Sequence, residues 1–501
     1  MNSVLIANRG EIAVRIVRAC RELGLRSVAV YSDADRLAPH VFLADEAHRL
    51  GPPPVSESYL RMDRILEVAR RARVDGVHPG YGLLSERAEF ARAVEEAGLI
   101  FIGPAPETIS AMGDKSEARD LMRKAGVPVV PGSEGPIEDA DDAARRADEI
   151  GYPVVLKAVA GGGGKGMRVV ASSGELARAL DAARREALAA FGDGAVYLER
   201  YLDRPRHIEI QLLGDGRGNV VHLGERECSV QRRHQKLIEE SPSPAVSPAL
   251  RRAMGEAAVQ AARSVHYRGA GTIEFLLQDG DFYFIEMNTR IQVEHPVTEL
   301  VTGVDLVQAQ LRVAAGAGLD LEQDAIQFRG HAVECRITAE DPGAGFLPAT
   351  GTVRHLEIPG GPGVRWDGGI TLGSEVGLHY DPLLGKLIVH APSRNAALDR
   401  MACALDELVV QGVQTCASFL ARVVREDDFR AGDLSTHYLE EHPSLRDGDS
   451  ASEAEIVALA ATAAHLEAEW RRSAETPRAR GEATDGLSPW RTAVAPWSKR
   501  P

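Results

Sequence analysis

The chain has 501 residues, 44% hydrophobic and 26% charged, an ordinary globular composition with room for about three domains. A net charge of −15 disfavours a nucleic-acid surface, whose affinity comes from Lys and Arg on phosphates, and no apolar run approaches the roughly 18 residues of a spanning helix. With no basic-then-apolar leader in MNSVLIANRG and five scattered cysteines (Cys20, Cys228, Cys335, Cys403, Cys416) without a CxxC pair, a cytoplasmic chain away from membranes is expected, its thiols reduced and buried.

From the amino terminus, strand and helix patterns alternate: VLIA at 4–7, a helix over 11–23, SVAVY at 27–31, a helix near 58–72, GVHPG, a helix near 86–97, then LIFIG. This βαβ rhythm predicts a parallel sheet with helices on both faces. Its first turn, ANRGEIA, is not the GxGxxG of a dinucleotide site. A second unit starts near GDKSEARDLMRKAGVPVVPG, where a helix ends at Gly126. It continues through YPVVLKAVAGGGGKGMRVV as strand, glycine loop, strand. Residues 161–166 match GxGxxG, but no helix follows, and Lys165 precedes Gly166 rather than Ser or Thr, so the dinucleotide and Walker A patterns both fail. What remains is a glycine hairpin able to lay backbone N–H groups over a polyphosphate, expected to be mobile alone and to close on nucleotide.

The run ERECSVQRRHQK, 225–236, lacks the apolar spacing of a core helix and by itself reads as a solvated loop. Next, GTIEFLLQDGDFYFIEMN is a hairpin signal with Asp279-Gly280 at its tip. Glu286 and Asn288 lie two apart, hence on one face. Glu274 joins that face only if a three-residue loop or one bulge pairs it with 286, because a plain two-residue turn pairs 274 with 285. Two carboxylates and an amide oxygen near a phosphate loop are a hard-oxygen set suited to Mg²⁺. Directly behind, NTRIQVEHPVTE carries Arg290, Gln292 and Glu294 in alternation on what reads as one extended segment; Arg290 can fork onto a planar anion and Glu294 can accept a proton. Only seven lysines stand against 51 arginines, and four of them, Lys115, Lys157, Lys165 and Lys236, fall in these motifs, where a compact ammonium suits a phosphate or small anion.

A mixed, β-rich segment follows from about 330, GHAVECRITAED through YDPLLGKLIVHAP, to a helix near 395–408. After 445 the character changes: Ile456, Leu459, Ala463, Leu466 and Trp470 form one apolar stripe at helical spacing, and a polar, Pro-bearing end bears Trp490 and Trp497.

PVVLKAVAGGGGKGMRVV, RPRHIEIQLLGD, ERECSVQRRHQKLIEESPSP, FYFIEMNTRIQVEHPVTE and GHAVECRITAEDP together resemble biotin carboxylase, the ATP-grasp component of biotin-dependent carboxylases, in order from IANRGEIA to about residue 445. The resemblance implies an α/β fold with a Rossmann-like domain over 1–113, an ATP-grasp domain over 114–330 with a glycine-loop lid at about 131–203, and a mixed β carboxyl-terminal domain over 331–445. The resemblance further implies ATP, Mg²⁺ or Mn²⁺, bicarbonate, and biotin borne on a separate biotin carboxyl carrier protein, with carboxyltransferase subunits and a second copy of the chain as partners. The tail, 446–501, lies outside it; its apolar stripe and tryptophans suit a segment that docks a partner subunit, the alternative being a helix packed on the protein's own body with a frayed end. Lys115, Lys157, Gly163, Gly164, Glu199, Arg200, Tyr201, Leu202, His207, Gln231, His234 and Leu276 match nucleotide-contacting positions. Glu274, Glu286 and Asn288 match metal ligands, and Lys236, Arg290, Gln292 and Val293 the bicarbonate pocket. Glu294 matches the general base, Arg336 the residue facing the biotin enolate, and Tyr81 and Gly82 further biotin contacts. Arg87, Thr338 and His379 depart from the usual pattern; none removes a catalytic group, and Arg87 and His379 leave details of the biotin approach open.

Overall fold

The strand Ser3–Ile6 is buried along its whole length because a parallel neighbour lies on each side and helices lie above and below. Such strands need apolar side chains on both faces, which SVLI supplies. A computed structural model describes residues 1–133, 135–159, 167–446, 461–465 and 467–468. Its first sheet has five parallel strands, in spatial order Glu46–Gly51, Arg26–Ser32, Ser3–Ile6, Gly76–His78 and Ile100–Phe101. The helix Gly10–Glu22 packs Ile12, Ile16, Val17 and Cys20 against it.

A small lobe follows, with three antiparallel strands in the order Met167–Val170, Val154–Ala158 and Val196–Arg200. The helices Ala140–Ile150 and Ser173–Phe191 cover it and give it a core of its own around Leu156, Leu180 and Leu198. The expected glycine loop, with Gly163, Gly164 and Lys165, lies outside the described residues.

The largest sheet has eight strands, in the order Asp281–Asn288, Arg268–Gln278, Arg206–Asp215, Val220–Glu227, Ile238–Ser241, His331–Thr338, Leu383–Ala391 and Val364–Gly368, all antiparallel. It runs without interruption past residue 330, where the resemblance implies that a carboxyl-terminal domain begins. Ladder hydrogen bonds join Ile238–Ser241 to His331–Thr338 across that point. The helix Arg394–Glu407 covers the far end of the sheet. Beside it the chain passes so close to the amino-terminal helix that a Cβ on Gly369 would lie 2.8 Å from the backbone nitrogen of Glu11.

Three expectations change. Cys403 is exposed, whereas the other four cysteines are buried. The run 225–236 is no solvated loop: Val220–Glu227 is buried at every position, with Arg226 wholly enclosed. Residues 289–294 are not extended; the strand ends at Asn288 and a turn leads into the helix His295–Thr302, with Glu294 at its amino-terminal cap.

The chain divides into Met1–Arg446 and Asp447–Pro501. In the second unit, residues 461–465 and 467–468 are helical and Ala463 is exposed; Ile456, Leu459, Leu466 and the tail tryptophans fall outside the described residues. No helix among the described residues is long and apolar enough to cross a membrane.

Candidate active site

Four adjacent strands of the large sheet set Arg226, Glu209, Glu274 and Glu286 side by side as direct cross-strand partners. The last pairing depends on a local irregularity. Asp279 and Gly280 close a two-residue turn with φ of 54° and 88°, which alone would bring residue 285 opposite Glu274. One extra residue, Ile285, bulges between the Phe275–Phe284 and Glu274–Glu286 pairs and restores the carboxylates to one face.

Carboxylates side by side repel unless cations lie among them. The Arg226 guanidinium binds Glu209 and donates to Gln211 at 2.7 Å, Gln292 at 2.6 Å, Thr272 at 3.1 Å and Thr298 at 3.0 Å. Lys236 reaches in from the hairpin Gln231–Arg232/Gln235–Lys236, whose tip residues Arg233 and His234 both have left-handed φ, 48° and 68°. Its Nζ donates to Glu209 at 2.6 Å, Glu274 at 2.9 Å and Glu294 at 2.6 Å. The second oxygen of Glu294 accepts from Arg336 at 2.8 Å, and Arg336 also donates to Glu239 at 2.5 Å.

These contacts set the protonation states. Burial opposes the Lys236 ammonium, but Glu209, Glu274 and Glu294 outweigh it and hold its pKa well above the ordinary lysine value. Burial would likewise raise Glu294, yet Lys236, Arg336 and Arg226 hold it well below the usual carboxylate range. Glu274 is held low against burial by Lys236 and His207. Glu239, by contrast, is pushed up to about 7 by burial, with Arg336 pulling it down and Glu294 pushing it up.

Most of the residues singled out in the sequence line one cleft of about 930 Å³. At one end Lys157 donates to Glu199 at 2.5 Å, and Arg119 holds the other oxygen of Glu199. Arg200, Tyr201, Leu202, His207, Gln231, His234 and Leu276 line the same cleft. Met167, Val169 and Ile285, unusually exposed for apolar residues, also face it, an apolar wall suited to a planar ring. At the other end stand Lys236, Glu274, Glu286, Asn288, Arg290, Gln292, Val293, Glu294 and Arg336. Asn288 and Gln292 donate to Glu274 at 2.9 and 2.8 Å, and Arg290 spans Glu86 at 2.8 Å and Asn288 Oδ1 at 2.8 Å.

Several positions stand apart. Tyr81 and Gly82 follow the strand Gly76–His78 and do not line the cleft; the Tyr81 hydroxyl donates to Glu11. Lys115 opens the helix Lys115–Lys124, and its side chain falls outside the described residues. Arg87 and His379 are both exposed. Glu209, Arg226 and Glu239 were missed. The alternation His207, Glu209, Gln211 in RHIEIQLLG placed Glu209 on the face of His207, but nothing local marks a polar strand as buried.

The cluster of Glu274, Glu286 and Asn288 fits a hard divalent cation, since all three can offer oxygen. Glu274 also lies with His207 and Glu209 in a group of possible ligands, but there the Lys236 ammonium already sits between the two carboxylates.

Residues 1–109 match the biotin carboxylase amino-terminal domain, 114–322 the ATP-binding domain of the carbamoyl-phosphate synthase L chain, and 334–441 the biotin carboxylase carboxyl-terminal domain. Biotin carboxylase of Allochromatium vinosum is 53% identical over 88% of this chain and 98% of its own. The chain belongs to the biotin carboxylase family. The small subunit of 2-oxoglutarate carboxylase from Hydrogenobacter thermophilus is 50% identical over 89% of this chain and 94% of its own. Among solved structures, the biotin carboxylase domain dimer of that 2-oxoglutarate carboxylase, in complex with MgADP, ADP and bicarbonate, superposes with a TM-score of 0.81 at 49% identity, covering 89% of this chain and 98% of that one. The lobed α/β architecture is thus the ATP-grasp fold of biotin carboxylases.

Proposed function

We propose that this chain carries out the first half-reaction of a biotin-dependent carboxylase, the ATP-dependent carboxylation of biotin on a separate carrier protein with bicarbonate as the carbon source. The observation that carries this reading is Glu294, gripped by Lys236 on one oxygen and Arg336 on the other. A ligase joining a carboxylate to an amine needs the nucleotide residues but has no use for this set. ATP would lie with its ring between the apolar wall and the Glu199–Leu202 segment, its phosphates toward Lys157 and His207. Glu274, Glu286 and Asn288 would hold Mg²⁺, which when bound would neutralise phosphate oxygens.

Bicarbonate binds among Lys236, Arg290, Gln292 and Val293. A carboxylate held so low is a weak base, so the anion must first draw Lys236 and Arg290 onto itself, loosening their hold on Glu294 and Asn288 and raising the basicity of Glu294. Glu294 then takes the bicarbonate proton, and the freed oxygen attacks the γ-phosphoryl group, giving carboxyphosphate and ADP. Carboxyphosphate breaks down to CO₂ and fully deprotonated phosphate, the phosphate takes the proton from biotin N1, and Arg336 faces the enolate oxygen as N1 captures CO₂. The partners are a biotin carboxyl carrier protein, carboxyltransferase subunits and a second copy of the chain. ATP hydrolysis that requires bicarbonate and rises with free biotin tests this; hydrolysis indifferent to both overturns it.

A further inference from the structure

Lys386 is one of the seven lysines in a chain that places 51 arginines elsewhere, and none of the motifs above accounts for it. Its side chain has no exposed surface. It stands on Leu383–Ala391 as the direct partner of Arg336 on one side and Asp367 on the other. The helix His295–Thr302 covers this sheet face, with Val297 and Val301 packed on Ala332 and Ile388. Asp367 is already satisfied by both ends of the Arg365 guanidinium, at 3.0 and 2.7 Å. The Lys386 ammonium turns instead to two groups on different parts of the chain: it donates to the carbonyl oxygen of Val293 at 2.6 Å and lies 3.3 Å from Glu11 Oε1. Val293 immediately precedes Glu294, and Glu11 is the acceptor of the Tyr81 hydroxyl.

We propose that Lys386 is a positioning residue for carboxyl transfer, a buried cation that holds the Val293–Glu294 turn in register with the Tyr81 loop. The inference rests on the functional reading above, which places Val293 and Glu294 on bicarbonate, and on the family resemblance, which implies a biotin contact at Tyr81. The turn 289–294 belongs to no regular element. A backbone carbonyl there depends on an outside donor to stay fixed. A point-like ammonium can serve a carbonyl and a carboxylate from one position, whereas a planar guanidinium is wider and donates in a fixed fork. Nothing in this arrangement touches the nucleotide end of the cleft, so its loss should be felt where bicarbonate and biotin meet.

The test is steady-state kinetics on the full chain, with ATP, bicarbonate and free biotin varied in turn. Lys386→Met keeps the unbranched stem as far as Cε and removes the charge. It should leave KM for ATP within about twofold while lowering kcat/KM for biotin at least about tenfold, and Lys386→Arg should not restore it. Combined with Tyr81→Phe, the loss should stay within about twofold of Lys386→Met alone, because both changes break one chain of contacts. Wild-type kinetics in Lys386→Met, rescue by arginine, or losses that multiply in the double variant would each overturn the proposal. Wild-type protein without bicarbonate-dependent, biotin-stimulated turnover would instead overturn the functional reading beneath it. Should Lys386→Met fail to fold because Glu11 is left buried and unpaired, the pair Lys386→Met/Glu11→Gln removes both charges. The same split between ATP and biotin parameters is then expected, and equal losses in both would sink the idea.

Discussion

Glu294 and Lys236 illustrate how one residue's chemistry is set by charges brought from distant parts of the chain. Lys236 touches three carboxylates from three different strands or turns, so its own charge is secured and theirs are partly offset. Glu294→Gln removes the proposed base without removing any group proposed to touch ATP. It is expected to abolish biotin carboxylation, a loss of about 10² to 10⁴ in rate, while nucleotide affinity stays within about a few fold. Single-turnover carboxylation alongside nucleotide titration checks this, and near-normal turnover would remove Glu294 from the role. A second buried carboxylate, Glu240, serves structure instead: it accepts from His331 at 2.6 Å and from Arg394 at 2.7 and 3.0 Å. Burial would raise its pKa, but His331 and Arg394 outweigh burial and hold it below the ordinary 4.5. A depressed carboxylate contributes stability that is fully present above its unfolded pKa and is lost as pH falls through the folded one. Denaturant midpoints of wild type should therefore fall on acidification below about pH 4.5, and Glu240→Gln should flatten that limb. An unchanged acid limb would deny Glu240 this part.

At the scale of elements, the hairpin Arg268–Gln278/Asp281–Asn288 combines a tight turn with a bulge, and neither alone delivers Glu286 to Glu274. Gly280 has φ of 88° and no atom within 4 Å of where a Cβ would sit. Gly280→Ala therefore meets no clash and isolates the conformational cost, about 1 kcal/mol for a left-handed non-glycine residue. The denaturation midpoint should fall accordingly, with ATP and biotin kinetics nearly unchanged if the register holds. A larger loss of activity than of stability would show instead that the turn itself sets the metal-ligand register. The hairpin 231–236 makes the opposite choice, placing two non-glycine residues, Arg233 and His234, in left-handed backbone at the cleft. Such strain persists where a side chain is needed in that place, in keeping with the proposed nucleotide contact of His234.

At the scale of the whole molecule, the eight-stranded sheet joins the ATP-binding half to the carboxyl-terminal half, so Arg336 and Lys386 approach Glu294 from strands beyond residue 330. No lysine in the chain follows a methionine, as the acceptor lysine of a Met-Lys-Met carrier hairpin would. Avidin blotting after coexpression with a biotin ligase should thus give no covalent signal, and a signal would contradict supply of biotin in trans. For the tail, a chain ending at residue 446 is expected to keep its stability and its activity on free biotin but to lose co-purification with a carrier or carboxyltransferase subunit. Unchanged assembly would remove the proposed docking role.

The order of strands and helices, the motifs that line the cleft and the family were legible in the sequence, because they rest on periodicities and contiguous runs within a few tens of residues. Even the need for a bulge followed from counting residues along the hairpin. What the sequence left open was where polar side chains go. ERECSVQRRHQK reads as solvent-facing, because a polar run looks the same whether water or buried partners satisfy it. Only the tertiary structure supplies those partners, Gln211, Thr272 and Thr298 for Arg226, and Glu274 and Glu294 for Lys236. The continuity of the sheet past residue 330 and the burial of Lys386 were likewise decided there. Strand pairing and charge compensation join residues scores of positions apart, and no local pattern encodes which distant segment will answer a buried charge.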